Sequence, residues 1–156
     1  MLDTFRNAAW KPNPGGQLLA MTCPASDILL HGNRGGGKTE TLLAMFMRYV
    51  GQGFGRAWVG IIFRCEFKHL GDLVRKAKIM IPKVFPTAKF LSSASEYKWI
   101  FPWGEELLFR HAKKAEDYDE FHGWEIPFQG YDELTKMPSL DFKEKMKSCM
   151  RSSHPG

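Results

Sequence analysis

The spacing of apolar positions changes several times along the chain, and each change predicts an element. Residues 1–26 carry Pro12, Pro14, Gly15, Gly16 and Pro24 and read as a loop-rich lead-in. Asp27-Ile28-Leu29-Leu30-His31 is a short apolar run closed by Gly32, which predicts a buried strand. Leu42, Met45, Phe46 and Tyr49 then recur at helical spacing, so 38–50 predicts a helix, stopped by Gly51, Gly53 and Gly55. Residues 57–63 (AWVGIIF) carry no polar side chain, which suits a strand covered on both faces.

Phe67, Leu70, Val74, Ala77 and Ile81 step by three and four and predict a second helix, ended by Pro82. Residues 96–101 and 105–110 read as a hairpin, with Pro102-Trp103-Gly104 as its turn. A short helix over 116–121 and a strand over 126–131 follow, the strand running into Asp132-Glu133. Phe142, Met146, Cys149 and Met150 share one face of a final helix over 139–150. Apart from the hairpin, strands alternate with helices, which predicts an α/β fold with a mostly parallel sheet flanked by helices.

Composition narrows the class. With 156 residues, 44% of them hydrophobic, the chain is one domain with a core that needs no disulfide scaffold. A net charge of +5 tolerates a polyanionic partner without demanding one. Cys23, Cys65 and Cys149 are far apart and form no CxxC pair, so neither a zinc site nor a disulfide framework is indicated and a reducing, cytosolic setting is expected. The apolar runs are far short of a membrane span, and an early Asp3 with no apolar core argues against a signal peptide.

The strongest chemical signal is Gly32-Asn33-Arg34-Gly35-Gly36-Gly37-Lys38-Thr39, which fits G-x-x-x-x-G-K-[ST] without a mismatch. Glycines let backbone N–H groups curl around a phosphate without Cβ clashes, and the following helix aims its positive end at the same anion. Lys38 would reach the β- and γ-phosphates of a nucleotide, and Thr39 would hold Mg²⁺ through its hydroxyl. The bland alternative is a glycine-rich turn. The position of the motif, between an apolar run and a helical pattern, argues for the phosphate loop.

Such a loop needs an acid near the metal at the end of a second strand. Asp132 would hold the metal's water shell, and Glu133 would polarise the attacking water. A surface acidic turn is the plain alternative. An adjacent Glu favours hydrolysis over transfer to a small acceptor.

Weaker candidates surround this pair. Arg34, inside the loop, would act as an arginine finger in cis or else point to solvent. Arg110 and Arg151 are candidates for a finger offered to a neighbouring subunit. Gln17 would read an adenine edge with its two-sided amide, or simply be solvated. Arg64, directly after the second strand, lies at the carboxyl edge where ligands bind and would contact nucleotide or DNA. Lys68, Arg75, Lys76, Lys78 and Lys83 make the second helix basic, a solvated face or a phosphate-backbone contact. Trp99, Phe101 and Trp103 read as packing rather than a base-stacking platform. The five histidines show no metal-ligand spacing.

The stretch ILLHGNRGGGKTETLLAMFM resembles the ATPase motor of tailed-phage terminase large subunits, which carry an arginine-bearing loop of the form G-x-R-G-G-G-K-[ST]. The resemblance continues in order through FR after the second strand, FPWGEELLFR, FHGWEIPFQGYDELTKMP and KSCMRSSHPG, from about Gln17 onward. It implies a P-loop NTPase of the additional-strand, catalytic-glutamate type that hydrolyses ATP with Mg²⁺. It also implies a motor that drives double-stranded DNA into a procapsid in an infected bacterium. A ring of five subunits docked on the portal protein and helped by a small terminase subunit is the expected assembly.

Residue by residue, the resemblance makes Gly32 to Thr39 the phosphate loop, Asp132 the metal-side acid, Glu133 the catalytic glutamate and Gln17 an adenine contact. It also places a coupling motif soon after the acidic pair, on a strand between the phosphate-loop strand and the acidic strand. By this resemblance the 156 residues are expected to end before that strand and before the nuclease domain such proteins carry. The expectation is therefore a lead-in over 1–26 and a partial ATPase domain over 27–156, with an incomplete sheet, marginal stability and poor turnover. Two rivals remain: a helicase-like P-loop ATPase, and a non-catalytic nucleotide- or DNA-binding fragment that assembles with a partner chain.

Overall fold

The wholly apolar run becomes strand β1 (Val59–Arg64), which lies inside a five-stranded sheet. The computed structural model describes residues 9–32, 35, 37–93 and 96–153. On either side of β1 run two parallel neighbours, β4 (Glu106–His111) and β5 (Phe128–Tyr131). Beyond β4 the sheet continues antiparallel through β3 (Tyr97–Ile100) to β2 (Lys89–Ser92), giving the order β2-β3-β4-β1-β5.

The period of two along each strand divides the core. Ile62, Leu107 and Phe109 belong to one cluster, covered by helices α2 (Lys38–Met47) and α3 (Leu70–Val84). Ile61, Phe63 and Leu108 belong to the other, covered by a 3-10 segment over Ala115–Phe121 and by α4 (Asp141–Met146). Two covered faces explain why β1 carries no polar residue before Arg64. Phe46 of α2 is the centre of the first cluster, with ring centroids 5.5 Å from Trp58, 5.6 Å from Phe101 and 5.5 Å from Phe128. Gly60 makes this approach possible, since a Cβ there would lie 2.5 Å from the Phe46 ring.

The hairpin forms as expected. Gly104 takes the left-handed conformation in its turn, and Trp99 and Phe101 are buried while Trp103 stays exposed. Other elements depart from expectation. Pro82 does not end α3, which runs on to Val84. A proline in the last turn loses one N–H, and Phe85 N–H still donates to the Ile81 carbonyl at 2.8 Å. The lead-in contains a helix, α1 (Gly16–Thr22). Strand β2 was not expected, because KFLS is mostly exposed and shows no apolar signal. The final helix is only α4 followed by a 3-10 turn over Lys147–Cys149, and Met150 is exposed.

The largest departure is the run at 27–31, which forms no strand. Leu29 is 75% exposed. A strand exists by pairing, and among the described residues the outer edge of β5 carries no partner. The apolar run before the glycine loop therefore lies outside the sheet.

Candidate nucleotide-binding site

Of the glycine-rich segment, Asn33, Arg34 and Gly36 lie outside the described residues. Gly35 and Gly37 have φ of +83° and +68°, a left-handed backbone that side chains resist. Helix α2 starts immediately afterwards at Lys38, so its N-terminal end faces the loop. The Lys38 ammonium donates to the Gly32 carbonyl at 2.8 Å, closing the loop on itself.

Gln17 of α1 is buried, and its amide is engaged by backbone. Its Oε1 accepts from Asn13 N–H at 2.7 Å and its Nε2 donates to the Gly37 carbonyl at 3.0 Å. The side chain is thus a strut between the lead-in and the loop. A Cβ on Gly37 would lie 2.0 Å from that Nε2. Beside the strut opens a cleft of ≈ 300 Å³, lined by Asn13, Gln17, Leu30, Gly35, Lys38 and Thr41 among others. That is the lower end of the range for small-molecule pockets.

The acidic pair follows β5. Asp132 N–H donates to the Phe63 carbonyl at 2.9 Å, so the ladder with β1 reaches one residue past the strand. Thr39 Oγ1 donates to Asp132 Oδ2 at 2.9 Å, joining the first turn of α2 to the end of β5. The same oxygen accepts from Arg64 Nε at 3.0 Å and Nη2 at 2.7 Å, and both side chains are 7% exposed. Arg64 Nη1 donates to the His69 carbonyl. The guanidinium thereby compensates a carboxylate that burial would otherwise penalise heavily.

Glu133 has φ +61° and ψ +37°, a left-handed conformation that costs a non-glycine residue about 1–2 kcal/mol. Its Oε1 accepts from Lys136 Nζ at 3.0 Å, and its Oε2 lies 3.4 Å from His69 Nδ1. Directly before the acidic pair, burial pushes the Tyr131 phenol well up, so it stays protonated and donates to Gln129 Oε1 at 2.8 Å.

The Thr39 hydroxyl and Asp132 carboxylate form a pair of hard oxygen donors of the kind Mg²⁺ accepts beside phosphate and water, so these residues fit that ion. Among the described residues no three His, Cys, Asp or Glu side chains cluster as an all-protein metal cage.

Other expected residues are placed differently. Arg64 is buried on Asp132, because the adjacent strand end supplies an anion beside it. Arg110 is also buried, with Nη2 3.9 Å from Glu96 and Nε 3.9 Å from Glu120. Arg151 is exposed and donates to the Gly123 carbonyl at 3.3 Å. On α3, Arg75 pairs with Asp72, and Lys78 sits 4.7 Å over the Phe90 ring. Sequence reasoning missed His69 and Lys136. The available signal for His69 was its place in the first turn after β1, at the carboxyl edge of the sheet.

No family model matches the chain, and no curated protein matches it in sequence. Among solved structures, the chain is similar to the large terminase ATPase domain of Thermus phage P74-26, with a TM-score of 0.64 and 14% identity over 92% of this chain. It spans 63% of the length of that chain. At this identity the likeness is one of fold: a terminase-type ATPase fold, α/β, with an open and mostly parallel sheet flanked by helices.

Proposed function

We propose that this chain is an ATP-hydrolysing domain of a viral DNA-packaging motor. The observation that carries the reading is the 2.9 Å bond from Thr39 to Asp132, which brings together residues 93 apart in sequence. It supports a site in which a phosphate cradle and an acidic strand end face one another.

In this reading the triphosphate lies against the backbone of Gly32, Asn33, Arg34, Gly35, Gly36 and Gly37, with the α2 N-terminus and the Lys38 ammonium balancing its charge. Thr39 and Asp132 hold Mg²⁺, which when bound neutralises phosphate charge and orients the γ-phosphate. Glu133 aligns a water for in-line attack and receives its proton, while the bond to ADP breaks. Arg34 offsets charge that grows on the γ-phosphate. Gln17 keeps one N–H and one lone pair beyond its two backbone bonds, enough for one edge of adenine. The wider setting is translocation of double-stranded DNA into a procapsid, by a ring of five subunits on the portal protein with a small terminase subunit. That setting is the cytoplasm of an infected bacterium. No helix among the described residues is long and apolar enough to cross a membrane.

Turnover of Mg²⁺·ATP by the pure chain, with and without linear duplex DNA and portal-bearing procapsids, tests this. Glu133→Gln is expected to lower the rate by about 10²-fold or more while leaving nucleotide binding in place. Lys38→Ala is expected to weaken binding itself. Equal rates for wild type and Glu133→Gln would instead support a nucleotide-binding fragment without hydrolysis.

A further inference from the structure

We infer that His69 is a positioning residue for Glu133, an inference that rests on the hydrolytic reading above. His69 Nδ1 and Glu133 Oε2 are both buried, 3.4 Å apart, and neither has a hydrogen-bond partner among the described residues. Two buried polar atoms left facing one another carry a cost that only their mutual bond relieves. At 3.4 Å the contact is long. Bonds of this kind commonly tighten when substrate fills a site.

The backbone aims the pair. Glu133 is held in its left-handed conformation, and Lys136 takes its outer oxygen at the surface. The inner oxygen is left for the imidazole, which donates from Nδ1 in the neutral Nδ1–H tautomer and in the imidazolium alike. His69 also accepts from Arg64 through its carbonyl, and Arg64 holds Asp132. One residue at the start of α3 thus ties both acids, one through its main chain and one through its ring. The main-chain tie survives any substitution at 69, so the ring can be tested by itself.

His69→Ala is expected to lower kcat about 10²-fold, the scale of a small misplacement of a catalytic group. KM and the affinity for a fluorescent ATP analogue with Mg²⁺ should stay near wild type. His69→Asn, which returns a donor close to the Nδ1 position, should recover most of the rate. A structural role would instead move the melting temperature of both variants and leave no such split. Independently of turnover, the ¹⁵N resonance of His69 Nδ1 should shift on Glu133→Gln. If Glu133→Gln leaves the rate unchanged, the hydrolytic reading falls. If Glu133→Gln abolishes turnover while His69→Ala keeps the wild-type kcat, the role of His69 falls alone. In a chain with no measurable turnover, an unmoved Nδ1 resonance overturns the contact.

Discussion

Arg64 ends β1 and Asp132 directly follows the parallel strand β5, and the two are locked together below the surface, whereas residues 27–32 reach the glycine-rich loop without joining the sheet. The acid half of the site inherits its geometry from β1 and β5, whose register is set by the two cores on either face. The loop half hangs from the N-terminus of α2 and from one buried glutamine. Below the surface the two halves meet at the side-chain bond from Thr39 to Asp132. The contrast teaches that a glycine-rich loop can be held from a helix end and one buried amide, while a buried carboxylate needs a strand end and a countercharge. It also predicts that damage to the acid half is global and damage to the loop half is local.

Arg64→Leu should produce the largest effect. It leaves Asp132 buried without its guanidinium, a loss of about 3–5 kcal/mol, read as the shift in a urea unfolding curve. If the chain unfolds no more easily than wild type, the acid half is not the rigid one.

Gln17→Leu should cost less, about 1 kcal/mol, because it orphans Asn13 N–H at the rim of a cleft rather than in a core, while the Gly37 carbonyl keeps its bonds from the Thr41 N–H and hydroxyl. Its signature should be local: faster hydrogen exchange at Asn13 and weaker nucleotide binding, with little change in the melting temperature. A global loss as large as that of Arg64→Leu would erase the distinction.

The smallest effect concerns a surface tie between the two halves, Asp27 to Lys143 of α4 at 2.8 Å. The hydrogen bond from Lys143 holds the Asp27 carboxyl below its ordinary value of 3.8, with the Lys143 and Lys147 charges adding to it against a desolvation that raises it. A depressed acid contributes stability above its unfolded pKa. That contribution is lost as pH falls through the lower folded value. A carboxyl NMR titration should therefore place Asp27 below 3.8 in wild type and return it toward 3.8 in Lys143→Met. The side chain of Asp27 is 63% exposed, so the associated stability change is small.

Helices α2 and α3 and strand β1 were legible because their periods are local. Leu70, Ala77 and Ile81 announce one buried face whatever lies against it, and the uninterrupted apolar run of β1 announces two. The glycine-rich loop and Asp132-Glu133 stand out in the sequence as residue types at set spacings, and the structure brings Thr39 and Asp132 together. Strand β2 was not, because KFLS sits at an edge and buries little. The run at 27–31 misled for the opposite reason: its apolar residues suit a strand, but a strand also needs a neighbour. Arg64 was placed at the correct edge, but its pairing with Asp132 was not foreseen.

By itself, then, the sequence determined the long helices α2 and α3, the doubly covered strand β1, and which side chains have the chemistry to bind phosphate and a hard cation. Those properties depend on neighbours a few residues away. Only the tertiary structure decided that Arg64 and Thr39 share one oxygen of Asp132, that Gln17 braces Gly37, and that His69 faces Glu133. These pairings join side chains from separate elements, and their distances follow from how α1, α2 and α3 settle against β1 and β5. That settlement is fixed by packing around Phe46 and Phe63, not by any local pattern.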